Sequence, residues 1–390
     1  MKSPRVLLCV RQNTLRWDGE PSSLCCSSCC VLRCFDDRAA AARVNQHAHG
    51  RGTRTSLVRH GDPRVRLIAA HRSPLTALFS ARGLQQITRQ QQSPATQRRM
   101  RQQVSSEPQG VAEDILHLSA WLARQPHLPP VDDLLLDRFL YNCKYSLSRC
   151  KSVLDMYYTV RTAVPEFFKH RDATEDSIRR SCEVTLAAAL PRLTPAGHRV
   201  FVHRLLDADS RRFDLLAHSR RVFMLVDVLL HTEPVLGAVV VLDLHASTWA
   251  HVLRAPPPLL RRLAVCFQDS CPIAIKEIHF VNAPGFIRKF LDIIRPLLKK
   301  KLNERVHVHT GGLETVGKSL PLHMLPKEYG GEEKSLKELS DAWQLALERR
   351  RDWFKAEELK RVDESLRPGA APERAQLFGV EGSFQRLAVD

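Results

Sequence analysis

Beyond Glu175 the chain alternates short apolar runs with segments of helical length, and this alternation limits the folds open to it. The runs Val200–Leu205, Gly237–Leu244, Glu277–Asn282 and Val306–His309 are rich in β-branched or apolar residues and read as strands. Between them lie helical patterns over Asp214–Leu230, Trp249–Asp269 and Gly285–Leu302. Strands joined by helices of this length need crossover connections, so the expected class is α/β with a mainly parallel sheet and flanking helices. A near-continuous run such as Ala238-Val-Val-Val-Leu fits a strand buried on both faces.

The preceding region carries a different period. Ile115, Leu118 and Trp121/Leu122 recur at three- and four-residue intervals, an amphipathic helix closed by Pro129-Pro130. Asp132 or Asp133 can cap a second helix through Leu140, and a third runs over about Leu147–Thr162. The expected organisation is a small helical domain over 100–170, an α/β domain over 171–335, a charged helix over 336–365 and a loose tail over 366–390.

Residues 1–99 show no sustained hydrophobic period and are expected to be a disordered, basic, Cys-rich extension, or a stretch upstream of a start at Met100. They hold most of the charge. Of the formal net charge of +17, +12 falls in residues 1–99 and +5 in the other 291, so nucleic-acid binding by the body is not supported. Six of the 11 cysteines also lie there, and Cys26-Ser-Ser-Cys29 with His47 and His49 matches no common zinc spacing. The Arg-rich start has the composition of a mitochondrial presequence, but its length and cysteines argue against one. The only early apolar run, Val6–Val10, is too short for a secretory signal, so the expectation is a cytoplasmic protein with free thiols. The most apolar stretch, Val222–Leu244, is interrupted by Asp227, His231, Glu233 and Pro234, and no transmembrane span is expected.

Four strings in register then narrow the reading: Gln268-Asp-Ser-Cys-Pro272, Ile278-His-Phe-Val-Asn-Ala-Pro284, Arg305-Val-His-Val-His309 and Leu325-Pro-Lys-Glu-Tyr-Gly-Gly331. Asp243, and Arg204 with Asp207, fall at strand ends in the same pattern, and Arg138-Phe-Leu140 and Tyr157-Tyr158 fit the helical domain before it. Over roughly residues 111–365 the chain resembles the CRAL-TRIO lipid-binding family, nearest in pattern to the alpha-tocopherol transfer protein group. The resemblance implies a mixed sheet with flanking helices enclosing an apolar pocket for a tocopherol-, retinoid- or phospholipid-like ligand, closed by a mobile helix. It implies no cofactor and no catalytic residue. The lid would be Gly285–Leu302, with Phe286, Phe290, Ile293, Ile294 and Leu297 on its apolar side and Arg288, Lys289, Arg295 and Lys299–Lys301 around it. A helix of this kind suits both a lipid and an anionic membrane surface.

By the same resemblance, Lys276, Lys301 and Arg305 fall on positions of a phosphoinositide headgroup cleft, while Cys143 and Ala274 occupy two others where a basic residue is expected. The expected partners are a hydrophobic ligand and, transiently, a phosphoinositide-containing membrane. Two rivals remain: an adaptor that reads phosphoinositides without carrying cargo, and a lipid-modifying enzyme using Asp243 and His245. No nucleophile motif, phosphate loop or dinucleotide fingerprint accompanies that pair. His307 and His309 share a strand face by spacing and with His279 could be drawn as a metal cluster, but the resemblance implies that these sheet-end histidines are structural or pocket-facing.

Overall fold

The computed structural model describes residues 110–369 and 377–378. The extension over 1–99, with its Cys26/Cys29 and His47/His49 candidates, and most of the tail lie outside the described residues.

Three helices open the described chain: α1 (Val111–Leu122), α2 (Asp133–Asn142) and α3 (Leu147–Ala163). Their starts follow from side-chain caps. Asp132 accepts from Leu135 N at 2.9 Å and Ser146 from Arg149 N at 3.4 Å, each meeting a backbone donor that the first helical turn leaves unpaired. Leu118, Leu135, Phe139 and Leu154 are wholly buried, and Phe139 meets Tyr157 edge-on at 5.2 Å. Two short helices, α4 (Pro165–Phe168) and α5 (Asp176–Val184), lead into the sheet.

The sheet has five strands in sequential order: β1 (Thr185–Leu193), β2 (Arg199–Leu205), then after helix α6 (Leu215–Thr232) β3 (Ala238–Asp243). Helices α7 (Trp249–Leu253) and α8 (Pro257–Val265) connect to β4 (Ile275–Val281). Helices α9 (Ile287–Ile294) and α10 (Lys300–Asn303) connect to β5 (Val306–Val308). β1 pairs antiparallel with β2 and every later pair is parallel, so the sheet is mixed and mainly parallel. The chain closes with α11 (Leu336–Glu348), started by a Ser335/Glu338 capping box, and α12 (Arg351–Leu359).

Two departures from the sequence reading have clear causes. β1 carries no strand signal in the sequence because Leu186-Ala-Ala-Ala-Leu190 lacks the β-branched residues that mark strands. Its small side chains admit α11, whose Trp343 Nε1 donates to Ala189 O at 3.0 Å. The lid is also not one helix over Gly285–Leu302. It runs as α9, a single 3-10 turn at Arg295–Leu297, an extended Leu298–Lys299 and then α10. Pro296 has no amide hydrogen and ends the regular helix there.

One buried charge cluster ties the helical region to the sheet domain. Asp227 of α6, 2% exposed, accepts from Arg161 Nη1 at 2.8 Å and from Arg171 Nη1 at 2.6 Å. The two guanidiniums hold its carboxyl below the usual range against the opposing effect of burial.

Candidate functional site

Successive strand residues point to opposite sides, and the inner side of this sheet lines a cavity of about 330 Å³. Phe201 and His203 of β2, Val240 and Leu242 of β3, and Ile278 and Phe280 of β4 form its floor. The alternate residues Val200, Val202, Val241 and Val281 are wholly buried on the other face. The walls come from α6 (Val222, Val226), α8 (Leu263, Ala264) and the π turn Cys266–Ser270 (Phe267, Gln268). The volume lies within the range of about 300–1,000 Å³ common to small-molecule sites, and the lining is overwhelmingly apolar.

Of the five expected lid residues, Phe290, Ile294 and Leu297 line this cavity, joined by Leu298 and Leu302. Phe286 does not; its ring packs on Trp249 at 5.8 Å. Ile293 is half-buried and also outside the lining. Ile287 and Leu291 anchor α9 on Phe280, while Arg288, Lys289 and Arg295 are exposed. Trp249, 37% exposed, and Leu253, 70% exposed, extend an apolar edge beside this segment.

A second depression of about 620 Å³ adjoins the cavity and shares Phe267, Gln268, Cys271, Ile273, Ile275 and Leu302 with it. Its lining brings together Lys276, Lys301 and Arg305, and adds Lys144, Arg149 and Lys299, with no carboxylate among the lining residues. Mutual approach is evident at Lys276, whose ammonium is pushed below its ordinary value by burial first, then by Arg305, Lys144, Lys301 and Arg149. Gly237 makes room for it: a Cβ there would sit 2.5 Å from Lys276 Cε. Arg305 is oriented by a hydrogen bond from Nη1 to Ile275 O. Lys299 is shared with Asp269 through an ion pair at the rim.

Cys143 is buried and absent from the lining of this cleft, and Ala274 lies on its wall, so neither supplies charge. Lys144 enters from the turn between α2 and α3, where Lys144 and Tyr145 take the left-handed conformation with φ of 57° and 58°, and Arg149 from the first turn of α3. Sequence reasoning missed both. The local signal available was the sharp turn between two capped helices, which says nothing about what it faces.

The polar groups once considered for chemistry are spent on structure. Asp243 Oδ2 accepts from Tyr329 OH at 2.6 Å, and Oδ1 accepts from Asn282 Nδ2 at 2.8 Å and His245 N at 3.0 Å. Tyr329 sits just before Gly330, whose φ of 76° turns the chain, and a Cβ on Gly331 would lie 1.9 Å from Leu325 O. His279 lies 3.1 Å from His309 (Nδ1 to Nε2) and 2.8 Å from Glu277 (Nε2 to Oε2), on the sheet face away from the cavity. No cluster of three or more His, Cys, Asp or Glu side chains suited to a metal ion occurs among the described residues. No helix among them is long and apolar enough to cross a membrane.

Residues 185–331 match the CRAL/TRIO domain, and residues 107–178 match the Pinta-like UBA domain. Human Clavesin-2 is 26% identical over 244 residues, 61% of this chain and 74% of that protein. Mouse Alpha-tocopherol transfer protein-like is 28% identical over 236 residues, 59% of this chain and 68% of that protein. The crystal structure of Sfh5 overlays with a TM-score of 0.40 at 14% identity, covering 63% of this chain and 98% of that one. The β1–β5 sheet, the apolar space beneath its crossover helices and the domain match point one way: residues 185–331 form a CRAL/TRIO domain.

Proposed function

We propose that the protein carries one small hydrophobic ligand (tocopherol-, retinoid- or phospholipid-like) in the cavity, working from the cytoplasm and releasing it at phosphoinositide-containing membranes. The observation that supports this most is the shared wall between an apolar cavity and a cleft lined by six cations. Ligand burial supplies the driving force, roughly 25 cal/mol for each Å² of apolar surface removed from water. The segment from Phe286 to Leu302 is the door, and opening it is favoured where its apolar side meets bilayer in place of ligand. Trp249 and Leu253 give the same edge an apolar foothold, and the cleft beside it draws anionic headgroups at about 1 kcal/mol per cation.

Mass spectrometry of organic extracts from the purified protein, paired with vesicle flotation, tests the proposal. A stoichiometric lipid in the extract and flotation that rises with phosphoinositide-bisphosphate content are expected. A lipid-free extract would count against a carrier. The cleft taken alone also fits an adaptor that reads phosphoinositides without cargo; extraction of lipid from donor vesicles separates the two.

A further inference from the structure

Away from both cavity and cleft, the helical region meets α12 around a small space built from charge. About 20 Å³ lies among Tyr158 and Arg161 of α3, Arg171 beyond α4, Glu357 and Glu358 of α12, and Lys360 and Arg361 after it. A water-sized sphere needs roughly 10–15 Å³ by this measure, so there is room for one small occupant.

The charges around this space do not balance. Its lining holds four cations and two carboxylates, and a third carboxylate, Asp227, pairs with Arg161 and Arg171. Asp227 is shared between the two: Arg161 Nη2 donates to Oδ1 at 2.5 Å and Arg171 Nη1 to Oδ2 at 2.6 Å. Glu357 is engaged by Lys360 at 2.7 Å, and Glu358 Oε1 accepts from Arg171 N at 2.5 Å. One positive charge is left over, in a cluster where Arg171 is only 3% exposed. A buried charge without a counter-charge is costly.

The hydrogen-bonding groups left over are donors. The Tyr158 hydroxyl, Arg161 Nε and Arg171 Nε are buried and have no partner among the described residues. A guanidinium has no lone pair to offer, so both arginines call for an acceptor. Burial first, then Glu357, raises the Tyr158 phenol well above its ordinary value, so the hydroxyl keeps a proton to donate. The Arg161 guanidinium lies 3.8 Å from the centre of the Tyr157 ring and 4.4 Å from that of Phe168, which cover it from water.

From the leftover charge and the three unpaired donors we infer that this space binds a single monoatomic anion, chloride in physiological salt, held by Tyr158 Oη, Arg161 and Arg171. The ion would close the charge balance and accept from all three donors, tying α3 to α6 and α12. A water molecule fits the space but brings no charge. Sulfate or a lipid phosphate is too large for it, which separates this site from the headgroup cleft.

The test keeps the full-length protein and varies the anion. As chloride replaces gluconate at fixed ionic strength, the thermal midpoint should rise by about 3 °C and then saturate, as for one site that only the folded chain holds. In crystals grown with sodium bromide, one anomalous peak should fall within hydrogen-bonding reach of Tyr158 Oη, Arg161 and Arg171. Tyr158→Phe removes one donor and should shrink the chloride shift; if that variant does not fold, the anion series and the bromide map of the unmodified protein decide alone. Equal midpoints in the two salts, or a rise that never saturates, overturns the assignment. So does bromide found only in the cleft of Lys276, Lys301 and Arg305, or an ordered water without anomalous signal at the site.

Discussion

The cavity and the cleft share a wall but are assembled by different rules. The cavity is built mainly from regular elements, and the direction of each strand residue follows from a period of two. The cleft is built from chain ends and turns: Lys144 and Arg149 around the α2–α3 turn, Lys276 near the start of β4, and Lys299, Lys301 and Arg305 around α10. An apolar site of the first kind is encoded redundantly, since any residue of the right size and phase serves. A charged site of the second kind depends on a few side chains that only the topology brings together.

If the two regions are separable in function, each should fail without the other. The largest effect is expected from Lys276→Ala/Lys301→Ala/Arg305→Ala. At about 1 kcal/mol per cation near an anionic surface, binding to phosphoinositide-bisphosphate vesicles should fall by up to about 3 kcal/mol, near a hundredfold, with cargo retained. Equal flotation of variant and wild type at physiological salt breaks the comparison on the cleft side. Loss of cargo would show instead that Arg305, through its bond to Ile275 O, holds the cavity wall.

The next effect concerns acid. His203 is held down to about 4 against an ordinary 6.5, so below neutrality the unfolded chain takes up the proton first. Stability is then lost as pH falls from about 6.5 toward 4, by about 2 kcal/mol between pH 7 and pH 5. The groups responsible are the buried surroundings and Arg221, with His218 held neutral beside it. Denaturant titrations should show a shallower decline over this window for His203→Gln than for wild type. An identical slope would mean that His203 is not held neutral by the fold.

Ala264→Trp fills the cavity from α8. Cargo retention should drop at least tenfold, about 1.4 kcal/mol, with vesicle flotation unchanged. A joint loss of both activities would show that cavity and cleft are one coupled unit. The smallest effect is expected from Arg149→Gln, which removes one exposed cation of the cleft. Vesicle affinity should weaken about fivefold, and by less as salt is raised, since a 0.15 M solution screens beyond about 8 Å. No change at low salt would leave the α2–α3 turn outside the headgroup surface.

Much of the fold was legible because hydrophobic period reports burial directly. The strand runs at Val200–Leu205 and Glu277–Asn282 and the helix at Asp214–Leu230 fall within a few residues of β2, β4 and α6. β1 was not legible, because three consecutive alanines carry no strand signal until α11 needs the space. Within the lid, phase alone put Phe286 with Phe290 and Ile294. Phe286 instead precedes the first turn of α9 and turns to Trp249.

The sequence by itself determined the alternation of strands and helices, the small helical region before them and the absence of a phosphate loop or dinucleotide fingerprint. Each is a property of residues near one another along the chain. Only the tertiary structure decided that Lys144 and Arg149 stand beside Lys276, that Asp243 is consumed by Tyr329 and Asn282, and that Thr185 lies against His218. These depend on contacts between residues 33 to 132 positions apart, set by how crossover helices return each strand to the sheet. Local period carries no information about which distant segment will arrive there.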